Sequence, residues 1–311
     1  MDPLTGQIVP LLAHYLPSSR VAHSQRVADT ARRLASQAVL EAEQAPALVE
    51  QAYLAGLLHD IAKAMSPDSC RAAGLTSDLW YEDLYAQYPA VWHAFAAPRM
   101  IHSLALSHFS AKPRKKVDIE RAAPFQSPCS SIEGVRTTAT HSPKMGFERA
   151  KAFESPSDYM VSCDTIGGLG AIATHSPKMG FERAKPFQIL YQAIRYHTTG
   201  RVHMSCLDAI LYIADYIEPE RPFADRAAIV GLFEDKTTLP TLTFKEKCTL
   251  AVTIITTGSI LSLSKKQKPI HPLTLRCYNA RSAILSGVSR QYWRTHCLAY
   301  YPGFPPLKFY S

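Results

Sequence analysis

A chain of 311 residues, 47% hydrophobic and 19% charged, is long enough to bury one sizeable core or two smaller ones. The opening MDPLTGQIVP has no basic stretch followed by an apolar run, and the most apolar segment, residues 250–263, is interrupted by Thr, Ser and Gly. Neither export nor a membrane span is therefore expected. The seven cysteines (Cys70, Cys129, Cys163, Cys206, Cys248, Cys277 and Cys297) are odd in number and lack CxxC spacing, which argues against a disulfide framework or structural zinc and for reduced thiols in a cytoplasm.

The net charge of +8 is unevenly spread. Residues 1–100 carry 7 basic and 10 acidic groups and residues 189–264 carry 7 and 8, whereas 101–188 carry 12 and 8 and 265–311 carry 8 basic groups and none acidic. A basic tail attracts anions at long range, but no RNA-binding motif accompanies it, so a solvated surface is expected rather than a nucleic-acid partner.

In chain order the dominant periodicity is helical. Ser18 and Ser19 are placed to cap a helix whose Val21, Val27, Ala31, Leu34 and Ala38 share one face. A second helix is predicted after Pro46, burying Leu48, Ala52, Ala55 and Leu58 and ending near His59 and Asp60. Further helices are predicted over about 82–102, 188–198, 205–217, 244–264 and 273–286. No strand pattern of useful length competes, so the expected fold class is all-α.

The middle breaks this plan. ATHSPKMGFERAK occurs at 139–151 and again, identically, at 173–185, an offset of 34 residues. Stacked structural repeats keep mainly their core positions, so full identity over thirteen residues reads as a recent duplication. Residues 103–187 are rich in Pro, Ser, Thr and charge and lack amphipathic periodicity, as expected of a disordered insertion. The predicted organisation is a helical domain in two parts, 1–102 and 188–286, separated by a repeat-containing insertion at 103–187 and followed by a basic tail at 287–311.

Chemistry concentrates in His23 of RVAHSQRV, His59-Asp60 of AGLLHDIAK, His197 of AIRYHTTG and Asp215 of YIADYIEPER. Imidazoles and carboxylates are ligands for a divalent metal of intermediate softness, and such a metal supplies a hydrolase with an activated water. His59-Asp60 follows the apolar run Tyr53 to Leu58, and Asp215 lies among Ile210, Leu211, Ile213, Ala214 and Ile217. A charge placed in such surroundings needs a partner or a metal.

Taken with their flanking residues, HSQRV, AGLLHDIAK, AIRYHTTGR, LYIADYIEPER and KKQKPIHPLTLRCYNAR resemble the YqeK-type HD proteins. These are HD-superfamily phosphohydrolases similar to symmetrical bis(5′-nucleosyl)-tetraphosphatases. The resemblance covers about 1–102 and 188–286. It implies an HD-domain helical bundle that cleaves diadenosine tetraphosphate symmetrically to two ADP. It further implies a metal, iron first and manganese, cobalt or zinc as substitutes, held by His23, His59, Asp60 and Asp215.

By the same resemblance, Asp60, His93 of VWHAFAAPRM and His197 serve catalysis, with His93 and His197 facing the phosphate chain. Arg20, Arg26, Lys63 and Arg221 are the cations expected near the polyphosphate, while Gln25 and Tyr216 line the nucleotide. The segment Pro269 to Thr274 is expected to close over it. Ala94 follows His93 where such proteins often have Gly. Expected partners are the dinucleoside polyphosphate and a second copy of the chain in a homodimer, with no membrane. Two alternatives stand beside this reading: another HD nucleotide phosphohydrolase, or a nucleotide-binding HD protein inactivated by the insertion.

Overall fold

The computed structural model describes residues 3–42, 45–72, 80–109, 180–234, 242–285 and 287–293, and all regular structure among them is helical. Residues 1–123 together with 183–311 form one compact unit and 124–182 another, and the described residues lie in the first apart from the opening turn of one helix. The repeat at 139–151, residues 173–179 of its copy and the tail beyond residue 293 lie outside the described residues.

The helices are α1 (Pro3–Tyr15), α2 (Ser18–Ala42), α3 (Ala47–Leu58), α4 (Pro67–Ala72), α5 (Trp80–Gln87), α6 (Trp92–Phe109), α7 (Gly180–Tyr196), α8 (Cys206–Ile217), α9 (Arg226–Glu234), α10 (Phe244–Lys265), α11 (Pro272–Ala283) and α12 (Gly287–Tyr292). The bundle is built on α2, α3, α8 and α10, with α11 and α9 against α10. Val27, Ala31, Leu34 and Ala38 of α2 are buried with Ala52, Ala55 and Leu57 of α3 and with Ile210, Leu211, Ile213 and Ile217 of α8. Each large aliphatic side chain so buried contributes about 1.5–3 kcal/mol.

Several bounds differ from those predicted. Ser18 and Ser19 lie inside the first turn of α2, where Arg20 and Val21 N–H donate to Pro17 O at 2.8 and 3.1 Å, so neither serine is the cap. The helix expected over 82–102 is two helices, because the chain turns between Gln87 and Trp92 at Pro89. Helix α6 continues to Phe109 and α7 begins at Gly180, so the helical backbone extends into both ends of the segment read as an insertion.

α8 starts with a capping box in which Ser205 Oγ receives Asp208 N–H and the Asp208 carboxylate receives Ser205 N–H. α10 is long and apolar enough, by length and composition, to cross a membrane. It packs within the bundle, and its buried Thr253, Thr256 and Thr257 hydroxyls donate to carbonyls one turn back at 2.7–2.8 Å, as burial demands. Cys70, Cys206, Cys248 and Cys277 are free thiols.

Candidate metal centre

Four helix ends and one helix interior converge on a single buried cluster. His23 stands on α2 and His59-Asp60 directly after α3, whose close approach to α2 depends on Gly56. A Cβ there would lie 2.4 Å from Ala28 Cα. His93 opens α6, fixed from behind by Trp92, whose Nε1 donates to Met65 O at 3.2 Å. His197 follows α7, which is closed by Gly200 at φ +66°, a conformation suited to glycine, and a Cβ there would also meet Cys277 Sγ at 2.6 Å. Asp215 lies in the last turn of α8 and Glu218 caps that helix.

Three of the histidines are held through Nδ1, which aims Nε2 at the centre. His59 Nδ1–H donates to Gly56 O at 2.7 Å and His197 Nδ1–H to Ile194 O at 2.6 Å. His23 Nδ1 lies 3.3 Å from Glu218 Oε1, the orientation by which a carboxylate steadies a metal-binding imidazole. A carbonyl only accepts, so Nδ1 carries a hydrogen in both His59 and His197, and in the neutral His59 ring the lone pair is on Nε2.

Around the centre, His23 Nε2 is 3.1 Å and His59 Nε2 3.7 Å from Asp215 Oδ1, while His59 Nε2 is also 3.7 Å from Asp60 Oδ2. His93 Nε2 and His197 Nε2 lie 3.0 and 3.6 Å from Asp60 Oδ1 and 3.2 Å from each other. His59 Nε2 is fully enclosed and has no hydrogen-bond partner among the described residues. Two triads, His23-His59-Asp215 and His59-Asp60-His197, have ligand atoms within 4.8 Å of one another. A buried lone pair with no donor, facing two carboxylates, fits a cation of the kind that imidazole and carboxylate bind.

Electrostatics agree with that geometry. Burial pushes His59 down to about 4 and His93 to about 3, so both rings are neutral near pH 7. For Asp60 burial acts upward, yet His59, His197, His93 and Lys63 hold its carboxyl well below the usual range. Asp215 is likewise lowered, against burial, by the His23 hydrogen bond, His59 and Arg221.

Cations ring the cluster. Lys63 Nζ lies 3.0 Å from His93 Nε2 and 3.5 Å from Asp60 Oδ1, and Arg20 Nη1 lies 3.6 Å from Asp60 Oδ2. Arg221 grips Asp215 through Nη2 and donates Nε–H to the Asp215 carbonyl at 3.0 Å. Arg26 is engaged elsewhere: it pairs with Glu218 at 2.7 Å and Glu220 at 2.8 Å. Gln25 is exposed and lies two residues, about 200°, around α2 from His23, outside the cluster. Tyr216 donates its hydroxyl to Asp225 at 2.8 Å.

The sequence pointed to every histidine and aspartate in this cluster but to neither Glu218 nor the Gly56 and Ile194 carbonyls. Glu218 sits in the charged run EPER, where its burial at the end of α8 has no local signal. Two carbonyls exposed by helix ends carry no side-chain signal at all.

The HD domain family matches residues 20–125, a span that takes in His23, His59, Asp60 and His93 and leaves His197 and Asp215 beyond it. The chain is 42% identical over 90 residues to the symmetrical bis(5′-nucleosyl)-tetraphosphatase of Halalkalibacterium halodurans, covering 28% of this chain and 41% of that protein. It is 34% identical over 90 residues to the protein of the same name from Bacillus subtilis, covering 29% and 42%. The chain thus spans about two fifths of the length of the curated relatives it matches. A crystal structure of a predicted HD superfamily hydrolase involved in NAD metabolism from Clostridium acetobutylicum aligns over 89% of this chain and 96% of that one, with 20% identity and a TM-score of 0.49.

Proposed function

We propose that this chain, which carries an HD domain, is a metal-dependent hydrolase that cleaves diadenosine tetraphosphate symmetrically to two ADP. The observation that carries the reading is the buried His59 Nε2, without a hydrogen-bond partner among the described residues, which faces Asp60 and Asp215 in a ring packed against those of His23 and His197. The names of the relatives, over the part of each that is matched, support the substrate.

His23, His59, Asp60 and Asp215 would hold the metal, with iron as the first choice, and His197, which groups with His59 and Asp60, would be a further donor. When bound, the metal polarises phosphoryl oxygens and activates water for attack. The rest is the work of the protein's own groups. Glu218, Gly56 O and Ile194 O fix the imidazoles. Lys63 and Arg20, beside Asp60, and Arg221, beside Asp215, line up the phosphate chain and offset its growing charge. His93, neutral near pH 7 and within reach of Asp60 and Lys63, would serve catalysis by hydrogen-bonding the phosphate chain.

Arg26 is assigned to holding Glu218 rather than to phosphate. We place the chain in the cytoplasm, supported by the free thiols among the described residues, and keep residues 103–187 as an insertion. Metal analysis with an ADP-release assay tests the reading. Wild type should carry metal and release two ADP per substrate, and Asp60→Ala should lose both, with activity down at least about 100-fold. Equal activity in the two proteins would sink it. Nucleotide binding without release would instead favour an inactive binding protein, and release from other nucleotides alone another phosphohydrolase.

A further inference from the structure

Beside the cluster, Tyr216 in the last turn of α8 and Phe223 in the segment after it form an aromatic pair with no part in holding the metal. Tyr216 and Phe223 stack with ring centroids 4.2 Å apart and planes 13° from parallel. The Tyr216 ring is anchored at both ends: its backbone follows Asp215 on α8, and its hydroxyl donates to Asp225 at 2.8 Å. Phe223 is 39% exposed, and its ring centroid is 5.8 Å from the guanidinium carbon of Arg221, the same group that grips Asp215.

A lone exposed Phe is unremarkable on a protein surface. Phe223 differs because one face is backed by a fixed, parallel ring and the residue stands one guanidinium away from the metal cluster. Substrate chemistry has the matching layout. In a nucleotide, a flat base lies one sugar away from the first phosphate, and an aromatic ring beside a phosphate-binding Arg presents both contacts at that spacing.

We propose that Phe223, backed by Tyr216, is the stacking platform for one nucleobase of the substrate, with Arg221 between base and phosphate chain. The inference rests on the nucleotide chemistry assigned above and adds the element that separates a nucleoside polyphosphate from bare polyphosphate. Every base has a π face, so the platform recognises a nucleobase without selecting strongly among bases.

Calorimetry on the full-length, metal-loaded protein tests this by comparing ADP with pyrophosphate. Phe223→Ala should weaken ADP about tenfold and Phe223→Leu by a similar factor, since leucine restores apolar bulk but no ring. Phe223→Trp should stay within about twofold of wild type, and pyrophosphate should change by less than about twofold in all three. An unchanged ADP affinity in Phe223→Ala, or equal losses for ADP and pyrophosphate, overturns the platform.

The assay of the reaction is read separately. If wild type releases no ADP from diadenosine tetraphosphate while the ADP-selective loss in Phe223→Ala persists, the platform stands and the assigned reaction falls. If ADP is released and the variant binds ADP like wild type, the reaction stands and the platform falls.

Discussion

Glu218 shows how much of the centre depends on a residue that never reaches it. Its carboxylate lies 3.3 Å from His23 Nδ1 and 2.7 Å from Arg26 Nε, and it is lowered, against burial, by Arg26, the Glu220 N–H and His23. An ionised Glu218 therefore holds His23 with Nε2 toward Asp215. Glu218→Gln keeps the shape and removes the charge, so metal affinity should fall about 10–100-fold while thermal stability changes little. A metal titration showing wild-type affinity would remove Glu218 from this role. The residues that bear charge into apolar helix ends were legible in the sequence because their surroundings are wrong for them. Glu218 was not, because its neighbours in the chain are charged and only the fold buries it.

Among the elements, the α2–α3 pair sets the spacing of the centre. Gly56 admits α2 by having no side chain and receives His59 Nδ1–H on its carbonyl. Gly56→Ala should cost about 1–3 kcal/mol through overpacking against Ala28, and it should also weaken metal binding by moving His59. Urea unfolding and metal titration read the two effects, and an alanine variant with unchanged stability would contradict the contact. Helical periodicity located α2, α3, α7, α8, α10 and α11, whose apolar faces are long. It did not locate α1, with Pro10 inside it, or the nine-residue α9, since an internal proline or a short face leaves too little pattern to count. The join of α5 and α6 was missed for the opposite reason, because both apolar faces run on through the turn.

For the whole molecule, buried neutral histidines tie stability to pH. His59 and the half-buried His271 are pushed down to about 4, and His93 to about 3, by burial, all below the ordinary value near 6.5. Between about 6.5 and 4 the unfolded chain binds more protons than the folded one, so stability is full above that window and is lost as pH falls through it. Chelator-treated protein should have a lower urea midpoint at pH 5 than at pH 7, and equal midpoints would refute the burial of these rings in solution. Added metal should raise the midpoint more at pH 7 than at pH 5, because protons compete for its ligands.

The duplication gives a second test at this scale. Removing one 34-residue unit, residues 139–172, leaves a continuous single-copy sequence. On the proposed insertion at 103–187, this shortening by less than half changes loop closure by less than about 0.6 kcal/mol, so metal content should be unchanged and stability within about 1 kcal/mol. A variant that loses its metal would show the second copy to be part of the domain.

His93 and His197 meet at 3.2 Å across 104 residues of chain. That separation is also an interval of time. At about 5–20 residues per second, a ribosome delivers His197 roughly 5–20 s after His93, and Asp215 later still. Until then a nascent chain holds His23, His59 and Asp60 without the partners that the fold brings to them, so the proposed ligand set is completed only late in synthesis.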